Sequence, residues 1–260
     1  MKYINALKNS FITELKILFR YKKTLASEII VFLAIYIGIL VFGDTNVFSN
    51  FYHVKYTDGP VLLLIGYIFW SFSNMALGYS SSVVSSDAKT GLLEVKMQGI
   101  LPYSILTFIP VLVTILESLL LLFVVCLISV FIGFISISSI PFLLFSVFLT
   151  FPSIVGMYGF GLILGGLALK EKNIGQFVSI ISGILLFTTN TFIVNLPYYI
   201  YIIPFTSGID ICRKFYSNSN FDFKLVLVYL LVCIIWLIAG LLTFNYFLKK
   251  ERLFGSFDNF

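Results

Sequence analysis

Long apolar runs alternate with short polar interruptions along this chain, and they set its architecture. The runs cover residues of about 26–42, 60–84, 103–134, 142–169, 174–194 and 225–247. At ~1.5 Å of rise per residue, helices of such lengths reach across a hydrocarbon layer about 30 Å thick. Six transmembrane helices are therefore expected. Barrel strands would instead show alternating segments of about ten residues. Between the second and third runs lies DAKTGLLEVKMQGILP, Asp87 to Pro102, in which Asp87, Lys89, Glu94 and Lys96 accompany apolar Leu93, Met97 and Ile100 at helical spacing. The pattern predicts a short amphipathic helix at the membrane face that can dock on another molecule.

Two further segments depart from the plain span pattern. In residues 1–24, Ile4, Leu7, Phe11, Leu15 and Leu18 recur at helical spacing, with Lys8, Glu14 and Arg20 on other faces. This reads as an amphipathic helix lying in the membrane interface. It is too charged for the apolar core of a secretory signal, and no A-x-A-like site comes after it, so it is expected to be retained. A basic tail that only sets topology is the plainer alternative. Residues 195–224 hold Pro197, Pro204 and a cluster of tyrosines, which predicts an outer segment that dips into the headgroup zone and returns. An ordinary amphipathic loop is the competing reading.

Composition agrees with the membrane assignment. The chain is 59% hydrophobic and 11% charged, with mean hydropathy +1.03, whereas soluble domains carry about a quarter charged residues. Residues 1–260 read as one membrane domain with no room for a soluble enzyme domain. The net charge of +5 belongs to topology, not to nucleic acid. With both termini in the cytosol, Lys55, Arg213, Lys214 and Lys224 fall outside and the other 13 of the 17 Lys and Arg inside, an excess that obeys the positive-inside rule. The Asp87 segment is then cytosolic. Cys126, Cys212 and Cys233 form no framework and read as small buried hydrophobes, and His53 has no second metal ligand nearby.

Candidate chemistry inside the spans is sparse. Glu117 sits halfway along the third run, where a carboxylate costs at least ~2.5 kcal/mol and needs a partner or a cavity; a place in the transport path and a protonated carboxyl hydrogen-bonded across a helix interface are its two readings. Asn74 belongs to a stripe with Ser71, Gly78, Ser81, Ser82 and Ser85, which reads first as helix packing and second as the wall of a wet cavity. Asn190 lies near the outer end of the fifth run. These three are candidates for a translocation path. Gly161 and Gly165 form a G-x-x-x-G that admits another helix closely.

Asp87-Ala-Lys-Thr-Gly-Leu-Leu-Glu94, with Pro102 beyond it, resembles the cytosolic motif of ABC-2 type permeases, in which an acidic residue leads into Thr-Gly-Thr-Leu-Glu and a proline precedes the next helix. Leu92 stands where Thr is usual, and Pro102 lies slightly further on. The resemblance implies that Asp87, Thr90, Gly91, Leu93, Glu94, Met97 and Gln98 belong to a coupling helix resting on a partner ATPase. It implies that the N-terminal helix frames that contact, and that Ile203-Pro204-Phe205 through Arg213 forms short re-entrant helices before the last span.

The same resemblance implies a half-transporter: a permease that is not itself an enzyme, paired with a second permease chain, the same or a sister, in membrane lipid. The chain contains no G-x-x-x-x-G-K-[ST], so it should bind no cofactor, and ATP and Mg belong to a separate cytosolic P-loop subunit. Export of a hydrophobic or amphipathic peptide, drug or lipid from a bacterial cytoplasmic membrane is the expected activity. The alternatives are an intramembrane enzyme, such as a protease or lipid-modifying protein, and a non-transporting sensor or immunity partner. An enzyme needs convergent reactive groups at one depth, and the linear sequence shows no paired carboxylates.

Overall fold

The computed structural model describes residues 2–171, 174–219 and 222–254. Lys172 and Asn173, in the polar interruption between the fourth and fifth apolar runs, lie outside them. The described residues contain ten α-helices and three short 3-10 turns, joined by short loops, and no strand. In order they are α1 (Lys2–Arg20), α2 (Lys22–Phe42), α3 (Thr45–Tyr52), α4 (Gly59–Thr90), α5 (Leu92–Met97), α6 (Tyr103–Ile132), α7 (Ile140–Glu171), α8 (Gly175–Thr188), α9 (Thr206–Tyr216) and α10 (Phe223–Phe254).

Four helical stretches are long and apolar enough to cross a membrane: Tyr56–Thr90, Tyr103–Ile132, Ile137–Glu171 and Phe223–Glu251. Helices α1 and α2, bent by 75° where they meet, supply a fifth if counted as one broken span. The fold is thus all-α, with the four or five apolar helices of a multi-pass membrane protein.

The run expected to form a span over 174–194 is different. Helix α8 has 14 residues, which at ~1.5 Å each gives about 21 Å, short of the hydrocarbon thickness. The helix ends because its continuation is engaged elsewhere. Thr189 turns to extended geometry, and the carbonyls of Asn190 and Thr191 accept hydrogen bonds from Arg213 Nη1 and Nη2 at 2.6 and 2.9 Å.

Helices α4 and α7 form the centre, with α10 on the other side of α7 and α6 beside α4. Small residues set these approaches. A Cβ on Gly161 would collide with Ser80 Oγ and the Leu77 carbonyl of α4, and one on Gly240 would collide with the Gly159 carbonyl across the α7–α10 contact. Dispersion contacts between closely approaching backbones hold such helices together where lipid removes the hydrophobic drive.

Pro152 lies inside α7 and withholds one backbone donor. Tyr229 of α10 repairs the ladder just beyond it: its hydroxyl donates to the Leu149 carbonyl at 2.6 Å and accepts from the Ser153 N–H at 3.1 Å. The helix therefore runs on through the proline, although a side chain has entered its hydrogen-bond ladder.

Candidate functional site

The polar groups gather at three levels. The first lies where α4, α5 and α6 meet. Helix α4 continues to Thr90 and stops at Gly91, which takes the left-handed conformation (φ 72°) favoured after a helix C-terminus. Only six residues of α5 come next, and α6 starts at Tyr103 behind Pro102. The Asp87 segment is therefore the last turn of α4 plus a separate short helix, which corrects the expectation of one amphipathic helix over 87–102.

Asp87 holds these pieces together. Its carboxylate is buried and receives Lys96 Nζ of α5 at 2.7 and 2.8 Å and the Tyr103 hydroxyl of α6 at 2.9 Å. Leu93 is buried beside it, and Met97 is half-buried. Thr90 turns its hydroxyl back to the Ser86 carbonyl at 2.8 Å. Glu94 and Gln98 are exposed, as are Leu92, Val95 and Ile100, so the predicted apolar set is split and Ile100 faces outward. The expected docking residues thus fall into an inner group, Asp87 and Leu93, and an outer group, Glu94 and Gln98.

Helix α1 runs past this junction and packs on α6. Phe11, Leu15 and Leu18 are half-buried, whereas Ile4 and Leu7 remain exposed. Glu14 is half-buried near Lys96 and Asp87. Burial lifts its carboxyl above the ordinary carboxylate range; Lys96 opposes the rise and Asp87 adds to it.

The second level lies within the bundle. Glu117 of α6 is buried, and its carboxyl interacts with that of Glu28 on α2 and with the Tyr79 hydroxyl on α4. Its Oε2 has no hydrogen-bond partner. The linear sequence shows no such pair because Glu28 stands only a turn or so beyond the basic Lys22 and Lys23, where it reads as part of the helix entry. Tertiary packing brings the two acids to one depth, so the expectation of no paired carboxylates is corrected.

Glu28 also lines a cavity of about 560 Å³ between α2, α4 and α6, with Phe32, Tyr67, Trp70, Ser71 and Asn74 among its walls. The Oδ1 of Asn74 is buried without a partner. Further along α4, Gly78, Ser81, Ser82 and Ser85 face a second hollow of about 530 Å³ against the start of α8. The stripe expected first to pack closely therefore borders two hollows.

The third level, at the opposite end, surrounds Arg213 of α9. Its guanidinium is fully buried. Nε donates to the Leu62 carbonyl at 2.8 Å, the two Nη atoms hold Asn190 and Thr191, and the group lies 4.7 Å over the Phe48 ring. A neighbouring carboxylate, Asp210, accepts from the Tyr52 hydroxyl at 3.0 Å and the Tyr201 hydroxyl at 2.5 Å. Burial above all, and Asp210 in addition, push both tyrosines above the ordinary phenol range, so they act as donors here. Asn190, a candidate for a path, is buried here: Nδ2 donates to the Thr206 carbonyl at 2.7 Å, and its Oδ1 is unpartnered. Arg213, counted from sequence among the outer charges, is part of the protein interior.

Other sequence candidates have quiet surroundings. The three cysteines are free and buried, and His53 ends α3 in the left-handed conformation. No protein-family model matches the chain, nor does any curated protein or solved structure.

Proposed function

We propose that this chain is the membrane subunit of an ATP-driven exporter of the ABC-2 kind. The observation that carries the reading is the Asp87 lock. A charged junction ties α4, α5 and α6 into one unit while presenting Glu94, Leu92 and Val95 at its surface. A push on α5 would pass directly into two of the longest helices, as energy from a partner subunit must. In this reading the junction is cytosolic, α8 and residues 189–197 together complete a sixth crossing, and both termini lie on the cytosolic side of a bacterial membrane.

ATP and Mg then belong to a separate P-loop subunit, and two permease chains enclose the path. Nucleotide binding closes the ATPase pair and rocks the two halves outward, carrying a hydrophobic or amphipathic cargo from the cytoplasm. Purification from the native membrane in mild detergent should bring down a stoichiometric ATPase, and Glu94→Arg should release it while the helices stay folded. Isolation of the chain alone under several extraction conditions, or normal ATP-driven transport by the Glu94→Arg variant, would overturn the reading.

One observation favours a different class. Glu28 and Glu117 face each other within the bundle, as an intramembrane hydrolase needs for acid and base roles at one depth. Cleavage of a transmembrane peptide by the isolated chain, abolished by Glu117→Gln, would replace the exporter with such an enzyme.

A further inference from the structure

A carboxyl pair inside a bundle is costly unless something neutralises it. Among the described residues neither Glu28 nor Glu117 forms an ion pair with a basic side chain. Lys23 stands at the cavity wall but is exposed to solvent. No group of three metal-ligating side chains exists among the described residues, so a metal ion would find too few protein ligands here. The Oε2 of Glu117 and the Oδ1 of Asn74 are both buried without donors. The Glu28–Glu117 hydrogen bond requires a proton on one of the two carboxyls, so the pair carries at most one negative charge, and Glu28 is its member at the cavity wall.

The cavity beside them supplies the rest of a binding site. Phe32, Tyr67 and Trp70 form a continuous aromatic wall, with ring centroids 4.7 Å apart for Phe32–Tyr67 and 5.6 Å for the stacked Tyr67–Trp70 pair. Aromatic faces attract organic cations, more strongly when water is excluded. A volume of about 560 Å³ lies within the range of small-molecule pockets, which combine apolar walls with a few placed polar groups.

We infer that the cavity between α2, α4 and α6 binds a hydrophobic organic cation, its charge held by Glu28 at the wall, which Glu117 backs from within the bundle, and its apolar substituents by Phe32, Tyr67 and Trp70. The site stands on this geometry; its role as the cargo site rests on the exporter reading. Under that reading it narrows the cargo to cationic amphiphiles entering beside α2.

Radiolabelled tetraphenylphosphonium tests the site on the whole chain in nanodiscs of zwitterionic lipid. Saturable binding is expected, at least tenfold weaker in Glu28→Gln and in Glu117→Gln, with the isosteric anion tetraphenylborate failing to compete. Asp44→Asn, which keeps a capping side chain on α3 at the far end, should bind as the parent does. In a Trp236→Phe background Trp70 is the remaining tryptophan, and its fluorescence should report occupancy of this cavity. Glutamine preserves size and hydrogen bonding, and elution as a single symmetric species certifies each variant as folded. Should Glu117→Gln fail that check, Glu28→Gln at the cavity wall decides. Non-saturable binding, equal binding by a folded Glu→Gln variant, or competition by tetraphenylborate would overturn the inference. No nucleotide or ATPase enters this measurement, so its failure leaves the exporter reading standing, and failure of the ATPase purification leaves the site standing.

Discussion

Arg213 occupies the space that a side chain at position 66 would need. A Cβ on Gly66 would collide with Arg213 Nη2 and approach the Thr191 carbonyl to 2.6 Å. The glycine in α4 and the arginine in α9 are two halves of one contact, 147 positions apart in sequence. Gly66→Ala should therefore disturb the same structure as Arg213→Met, which leaves the Asn190 and Thr191 carbonyls without their donor. Each change is expected to cost about 2 kcal/mol or more. The double variant should be less destabilised than the sum, because both break one arrangement. Thermal unfolding of the three proteins in detergent checks this, and additive losses would refute the shared contact.

Tyr229→Phe should lower stability by about 1–3 kcal/mol, because the Leu149 carbonyl and Ser153 N–H lose their bridge in surroundings that offer no water. Restoring a regular helix with Pro152→Ala in the Tyr229→Phe background should recover much of that loss, as read by the unfolding midpoint.

Removing the Asp87 carboxylate should loosen α5 without unfolding the bundle. In Asp87→Ala, Lys96 and Tyr103 lose their common acceptor, with an expected local cost of about 1–3 kcal/mol. Amide exchange across residues 91–101 should accelerate at least tenfold, while far-ultraviolet circular dichroism stays unchanged. Unaltered exchange there would show that α5 is held by Leu93 instead.

Docking of α1 should weaken as pH rises. The Glu14 carboxyl is lifted by burial, so the docked state holds its proton to higher pH than a freed α1 would. Docking is strongest below the ordinary carboxylate value and is lost progressively as pH climbs from there through the raised value. Hydrogen exchange of α1 at pH 4.5 and pH 8, corrected for intrinsic rates, should show more protection at the lower pH. Glu14→Gln should remove the difference.

Local patterns carried much of the helical layout. The apolar runs beginning near 60, 103, 142 and 225 correspond to α4, α6, α7 and α10; the ends of α4, α7 and α10 move outward, since polar end turns continue a helix while lowering its hydropathy, whereas α6 stops two residues early, before Gly133. The break at Gly91 was readable in principle, because a glycine after a polar helix end is the usual C-terminal signal. Glu94 and Leu93 look alike as members of a motif, yet one is exposed and the other buried, a distinction made by how α5 folds back on α4.

Consecutive residues were enough to specify an all-α chain suited to a membrane, because hydropathy and helical reach are local properties. Three relationships were decided only by the tertiary structure: the Glu28–Glu117 pair, the burial of Arg213 against Leu62, Asn190 and Thr191, and the shortening of α8 that this burial imposes. Each joins groups far apart in the chain. Its energy depends on desolvation and on hydrogen-bond partners that exist only once the helices have packed.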